Sequence, residues 1–256
     1  MGLKKIAKRI LDLFQIEIKR KNKEVFQDLS FDDIYKKKIT RNPIIFDVGA
    51  NQGQSIERFK KIFKSPIIHA FEPVEFEFKK LKEKYSKDKN IILNNYAVGE
   101  KKESKCLYIT AKTGTSSFNK VKKNTDWLKT RSQQNNTTLD GYTKSKEIVK
   151  VTTLDSYCLE KNITQIDILK VDTQGYEDMV LKGCQDILSK KIISIVESEL
   201  MFDNVYEKYL TFSDLEEYLL PNNFRLVGLN LTNSNLFSGL VFFADVMYFN
   251  KDKFKL

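Results

Sequence analysis

Residues 44–54 read IIFDVGANQGQ, an apolar run that closes on an aspartate and continues into two glycines three residues apart. A short apolar run punctuated by glycine reads as a buried strand that turns directly into a helix start. Glycine lets the backbone approach a ligand closely, and the free amides of a helix N-terminus can meet a carboxylate or phosphate. The glycines are spaced GxxxG, not the GxGxxG of dinucleotide sites, which argues against a nicotinamide or flavin dehydrogenase. An acid ahead of the first glycine repels a pyrophosphate and suits a ligand carrying an ammonium group.

From this turn the pattern alternates: strand 44–48, helix 54–64, strand 67–72, helix 74–85 and strand 91–96. It resumes with strand 166–172, helix 176–189, strand 192–198, helix 213–220 and strands 224–229 and 241–249. Short apolar strands separated by amphipathic helices predict an α/β fold with a Rossmann-like, seven-stranded, mostly parallel sheet and helices on both faces. A polar insertion of about residues 100–150 follows the third strand; KCLYIT (105–110) and IVKVTTL (148–154) are its strand-like runs and suggest a hairpin. The polar residues 111–147 between them are either a lid over the site or a disordered loop. Two regions result, a helical N-terminal extension (1–41) and the main domain (42–256).

The 256 residues, 41% of them hydrophobic, suffice for one substantial core. The net charge of +10 is uneven, because residues 1–41 hold twelve Lys/Arg against six Asp/Glu. In that leader Leu3, Ile6, Ala7, Ile10, Leu11, Leu13 and Phe14 recur at helical spacing among lysines, a basic amphipathic helix. It either packs on the body or makes a peripheral membrane contact through residues 1–20. No apolar run reaches the roughly 18 to 20 residues of a membrane span, and no secretory signal is present, so the expectation is a cytoplasmic protein, with attachment to the inner face of the membrane as the alternative. Cys106, Cys158 and Cys184 form no CxxC pattern and suggest neither a disulfide framework nor a zinc site.

In an open parallel sheet, ligands bind beyond the carboxyl ends of the strands where strand order reverses. The second strand closes on HAFEP, so Glu72 stands nineteen residues after Gly53, where a carboxylate can accept both hydroxyls of a ribose. The third closes on NNYAVG (94–99), small enough to pack beside an adenine. Ribose, adenine and an amino-acid tail together make S-adenosylmethionine.

FDVGANQG, HAFEP, NNYAVG, VTTLDS and IDILKVDTQGYEDMVLKG together resemble the FkbM-type family of S-adenosylmethionine-dependent methyltransferases, over about residues 43–200. The resemblance implies a class I methyltransferase fold with six parallel strands and one antiparallel. It also implies O-methylation of a sugar hydroxyl in a surface glycan, its precursor or a glycosylated metabolite. By position it assigns Asp47, Gly49, Asn51, Gly53, Glu72 and Ala97 to the cofactor, and Asp172, Gln174 and Glu177 to the edge of the active site.

A sugar hydroxyl is a weak acid, so transfer to it calls for a general base. His69, the only histidine, lies inside the second strand and reads as structural. Asp172 closes the fourth strand and is the first candidate; an ion pair with Lys170 is its structural alternative. Glu177 can serve catalysis or merely favour a helix start. Glu197 and Glu199 share one face of the fifth strand, Glu197 as a catalytic carboxylate and Glu199 as a substrate contact. With Asp172 they could hold Mg²⁺, but three acids from separate strands do not predict a metal. Gln174, and Ser116 within GTSSF, are expected against the substrate. RNA methylation and an inactive scaffold are the competing readings; the positive charge is concentrated in the leader, so no nucleic-acid partner is expected.

Overall fold

The computed structural model describes residues 29–202, 205–208, 210–231 and 241–254. The basic helix expected in residues 3–14, and any membrane contact through residues 1–20, fall outside them. No described helix is long and apolar enough to cross a membrane.

The described chain begins with α1 (Phe31–Lys38), β1 (Ile44–Val48), α2 (Gln54–Ile62), β2 (Ile67–Phe71), α3 (Glu75–Tyr85), β3 (Ile91–Asn94) and β4 (Ala97–Val98). β5 (Glu103–Thr110), α4 (Asp126–Gln134) and β6 (Thr143–Thr152) form the insertion. α5 (Leu154–Glu160), β7 (Ile166–Val171), α6 (Glu177–Lys182), α7 (Gln185–Ser189), β8 (Ile193–Met201), α8 (Phe212–Leu219), β9 (Phe224–Asn230) and β10 (Phe243–Asn250) complete it.

Seven strands form one sheet in the order β3-β2-β1-β7-β8-β10-β9. β10 runs antiparallel to both neighbours, whereas β3, β2, β1, β7 and β8 pair in parallel. Every residue of β7 is buried, as expected of a central strand covered on both faces. Phe46, Val48, Leu169 and Val171 point into a core built with α5 to α8. Ile45, Ile168 and Ile195 point the other way, into a core built with α1, α2 and α3. Strand order reverses between β1 and β7, which puts the ligand crevice at their carboxyl ends.

α1 lies in the stretch expected as an extension. Ser30 caps it, and its Phe31, Ile34 and Tyr35 are buried in the second core. The helix expected over 176–189 is two helices, because the chain presses against a neighbouring turn at Gly183: a Cβ there would stand 1.9 Å from the carbonyl oxygen of Gly99. α5 was absent from the sequence expectation, although Thr153 caps it by accepting a bond from Ser156 N.

The insertion is a hairpin, with Cys106 opposite Ile148, and β4 pairs with β6 to make a separate three-stranded sheet. Its polar connection carries a core of its own. Trp127, Leu128 and Tyr142 pack with Val205, Tyr206 and Phe242.

Candidate active site

A cavity of about 440 Å³ opens at the carboxyl ends of β1, β2 and β7, within the roughly 300 to 1,000 Å³ typical of small-molecule sites. The turn after β1 forms its floor. Gly49 has φ +89 and Asn51 φ +46, and the amides of Gly49 and Ala50 both donate to Phe71 O, at 3.1 and 3.0 Å. A Cβ on Gly49 would lie 1.9 Å from the carbonyl oxygen of Asp172, so glycine there lets β1 and β7 close together at the crevice. Gly53, φ +83, starts α2 but does not line the cavity; it makes room for the ring of Tyr85.

Glu72 is held by turn amides, with Asn51 N donating to Oε2 at 2.7 Å and Val74 N to Oε1 at 2.8 Å. Each oxygen keeps lone-pair capacity for a further donor, as two ribose hydroxyls would supply. Burial pushes the Glu72 carboxyl up to about 7, against the pull of those two amides. Ala97 and Val98 add a small apolar wall. Asn51 Oδ1 is buried without a partner among the described residues, so an acceptor in the floor is free for a ligand donor.

Asp47 does not reach the cavity. It is fully buried, and both its oxygens lack hydrogen-bond partners. Burial raises its carboxyl to about 6, opposed by Lys170, whose ammonium lies 3.9 Å from Oδ1. The direct contact expected between this acid and a ligand ammonium is therefore replaced by a lysine that lines the cavity above it. Burial pulls the Lys170 ammonium down, but Asp172, Asp47, Glu197 and Asp245 together hold it above its ordinary value.

Asp172 lines the cavity with its side chain 37% exposed, enough to be reached by a ligand. Oδ2 faces Lys170 Nζ at 3.2 Å, the ion pair the sequence allowed, and Oδ1 accepts from Gln174 Nε2 at 3.0 Å. Gln174 Nε2 also donates to Glu199 Oε2 at 2.8 Å, while its Oε1 accepts from Tyr206 Oη at 3.0 Å. Gln174 and Gly175 both have left-handed backbones, φ +59 and +87. Glu177 stabilises that turn: Oε1 accepts from Thr173 N at 2.7 Å, Thr173 Oγ1 at 3.1 Å and Gly175 N at 3.3 Å. It lies beneath the loop and does not line the cavity, and burial raises its carboxyl to about 7. The catalytic expectation for Glu177 thus gives way to a positioning one.

Glu197 is not brought to the crevice at all. Tyr35 Oη donates to one oxygen and Arg58 Nη1 meets the other at 2.6 Å, so its carboxylate ties α1 and α2 to the sheet. Glu199, two residues on, borders a second cavity described below. Ser116 lines the first cavity, and its Oγ accepts from Thr110 N at 3.2 Å. Among the described residues no group of three or more His, Cys, Asp or Glu is placed to hold a metal ion. His69 lies half-buried against Phe46, with ring centroids 4.9 Å apart, and meets Tyr157 Oη at 2.7 Å; burial lowers its imidazole to about 4.

Sequence reasoning missed Lys170 as a wall residue, together with Lys112, Thr113 and Phe118 from the insertion. Lys170 carried a signal, since it lies two residues before Asp172 on the same face of a strand. The others carried none, because only tertiary contact brings Gly114 so near the turn that a Cβ on it would lie 2.7 Å from Asn51 Nδ2.

The reversed seven-stranded sheet, with a glycine turn after β1 and a buried carboxylate at the end of β2, is the Rossmann-like fold of class I methyltransferases. Residues 47–226 match the family described as Methyltransferase FkbM domain, and the chain belongs to that family. It is a methyltransferase that uses S-adenosylmethionine. Similar solved structures include a magnesium protoporphyrin IX methyltransferase from Synechocystis with bound S-adenosylmethionine, at 7% identity and TM-score 0.46, covering 86% of this chain and 77% of that one. Another is a 1,6-didemethyltoxoflavin-N1-methyltransferase from Burkholderia thailandensis, at 11% identity and TM-score 0.44, covering 86% and 76%. A third is a fibrillarin/Nop5p complex, at 11% identity and TM-score 0.43, covering 82% and 73%. No curated protein matches the chain.

The residues present fit the cofactor. The orphaned Asn51 Oδ1 and the remaining lone pairs of Glu72 are two separate features of one cavity that suit a ligand with several donors.

Proposed function

We propose that the enzyme methylates a hydroxyl of a sugar-bearing acceptor, with Asp172 as general base. Glu72 would hold the ribose of the cofactor, Ala97 and Val98 would pack beside its adenine, and Gly49 and Asn51 would face its amino-acid end. Bound S-adenosylmethionine supplies an electrophilic methyl group. The chain's own tasks are to orient an acceptor oxygen in line with that methyl and to take its proton.

The observation that carries the assignment is the setting of Asp172. Its carboxylate is half-exposed at the crevice, and each oxygen is oriented by one neighbour, the buried Lys170 or the half-buried Gln174. A carboxylate fixed in this way can accept a hydroxyl proton without first reorganising. Gln174 and Ser116 supply polar contacts suited to further hydroxyls of a sugar. A glycan, its lipid- or nucleotide-linked precursor and a glycosylated metabolite all present such a group.

Methyl transfer from labelled S-adenosylmethionine to a panel of glycan precursors and RNAs tests this reading. Asp172→Asn should lower kcat by about 10²- to 10⁴-fold while leaving S-adenosylhomocysteine affinity near that of the wild type. Unchanged turnover in the variant would remove Asp172 as the base. Methylation of RNA with no sugar in the panel accepted would remove the sugar assignment.

A further inference from the structure

A second cavity of about 130 Å³ adjoins the first and shares Lys112, Gly114 and Gln174 with it. It is too small for a nucleoside cofactor. At about 30 Å³ per water it has room for about four waters, the scale of one substituent on a sugar ring.

Its walls differ in character. Trp127 and Met201 are apolar, Gln174 and Glu199 bring polar atoms from the catalytic side, and Lys112 and Arg131 are cationic. Neither cation has a carboxylate partner among the described residues. Arg131 Nη1 donates to the neutral Gln134 Oε1 at 3.0 Å, its guanidinium carbon lies 5.8 Å from the Trp127 ring centroid, and its Nε is buried with no acceptor. Burial and the proximity of Arg131 lower the Lys112 ammonium. The half-buried Arg131, with its Nε unsatisfied and the exposed Lys112 beside it as a second positive charge, is unfavourably placed without a counter-charge. An anion between them would relieve both problems, and the planar fork of arginine suits a carboxylate or phosphate. Burial, with Asp172, Glu177 and Asp245 nearby, raises the Glu199 carboxyl well above its ordinary value, which weakens its opposition to an anion in the same cavity.

We propose that this second cavity is an acceptor subsite for an oxyanion, in which Arg131 and Lys112 clamp a carboxylate or phosphate borne by the sugar whose hydroxyl faces Asp172. The inference rests on the reading of the first cavity as the methyl-donor site and of Asp172 as the base. It narrows the acceptor from any sugar to an acidic one, a uronic acid or a sugar phosphate.

Saturation-transfer NMR titrations of the full chain loaded with S-adenosylhomocysteine test it, with glucuronic acid, glucose 1-phosphate and methyl glucoside as probes. The acidic sugars should bind about tenfold or more tightly than methyl glucoside, the scale of one charge-assisted hydrogen bond. Arg131→Gln and Lys112→Gln should each erase most of that preference. A response to glucuronic acid alone assigns a carboxylate, and one to glucose 1-phosphate alone assigns a phosphate. If the acids bind no better than methyl glucoside, or both variants keep the preference, the subsite is refuted. S-Adenosylhomocysteine affinity is measured in the same samples. Its loss from the wild type would refute the cofactor reading instead, and since Arg131 lines only the second cavity, retained affinity in Arg131→Gln shows that the variant is folded.

Discussion

At the scale of single residues, the crevice depends on a few positions with no tolerance for change. Gly49 combines φ +89 with a virtual Cβ 1.9 Å from a backbone oxygen that cannot move without parting β1 from β7. Gly49→Ala should therefore destabilise the fold by more than about 2 kcal/mol and abolish S-adenosylhomocysteine binding, read by thermal unfolding and calorimetry. Wild-type affinity in that variant would mean that the turn is not the cofactor floor. Glu72→Gln should weaken the same ligand by about tenfold, as one charged acceptor becomes neutral. Because the Glu72 carboxyl sits at about 7, wild-type affinity should fall as pH drops through 7, where the acceptor becomes protonated, and the Gln variant should lose that dependence. Gly49 and Glu72 were legible in the sequence because strand ends and turn glycines are local signals. Lys112 and Arg131 were not, since their importance lies in facing the same cavity from a polar stretch with no periodicity of its own.

At the scale of elements, the row Asp47, Lys170, Glu197 runs straight across three adjacent strands in register, alternating in charge. The end of that row fastens α1 and α2. Arg58, from α2, meets both Glu197 Oε1 at 2.6 Å and Asp32 of α1 at 2.7 Å. Arg58→Met would leave the buried Glu197 with Tyr35 as its one hydrogen-bond partner among the described residues. Stranding a fully buried charge costs about 3 to 5 kcal/mol; with the Arg58 side chain 29% exposed, a loss of about 2 to 3 kcal/mol is the expectation from denaturant unfolding. Cofactor affinity should survive, because Glu197 does not line the cavity; a stability change below about 0.5 kcal/mol would mean the clamp contributes little. The sequence put Glu197 and Glu199 together at the crevice because strand periodicity gives a shared face. It does not say how far along the strand the crevice ends, and a helix residue 162 positions upstream, Tyr35, claims the first of the two. The broken helix at Gly183 has the same origin: an amphipathic pattern continues through a glycine whose requirement is contact with another turn.

At the scale of the whole molecule, the sheet was readable because each strand and helix announces itself within a few residues and right-handed crossovers leave few ways to connect them. That order fixed where the crevice lies, and the crevice in turn gathers acids that water no longer solvates. Asp47 at about 6, and Glu72 and Glu177 at about 7, all titrate above their unfolded values. In the folded state each binds more protons than in the unfolded state between its two pKa values, so each contributes stability present below the unfolded pKa and lost as pH rises through the folded one. His69, lowered to about 4, acts in the opposite sense between about 4 and 6.5, so the overall profile does not isolate any single group. A difference profile does. Glu177→Gln keeps an oxygen for Thr173 and Gly175 but removes the titration, so variant-minus-wild-type stability should be flat below about pH 4.5. It should then rise by about 1 to 3 kcal/mol between pH 4.5 and 7 and level off above. Any constant offset from the new amide leaves that slope untouched. A difference independent of pH would show that Glu177 titrates alike in the folded and unfolded states, its three donors offsetting its burial, and one that falls as pH rises would show that those donors outweigh it.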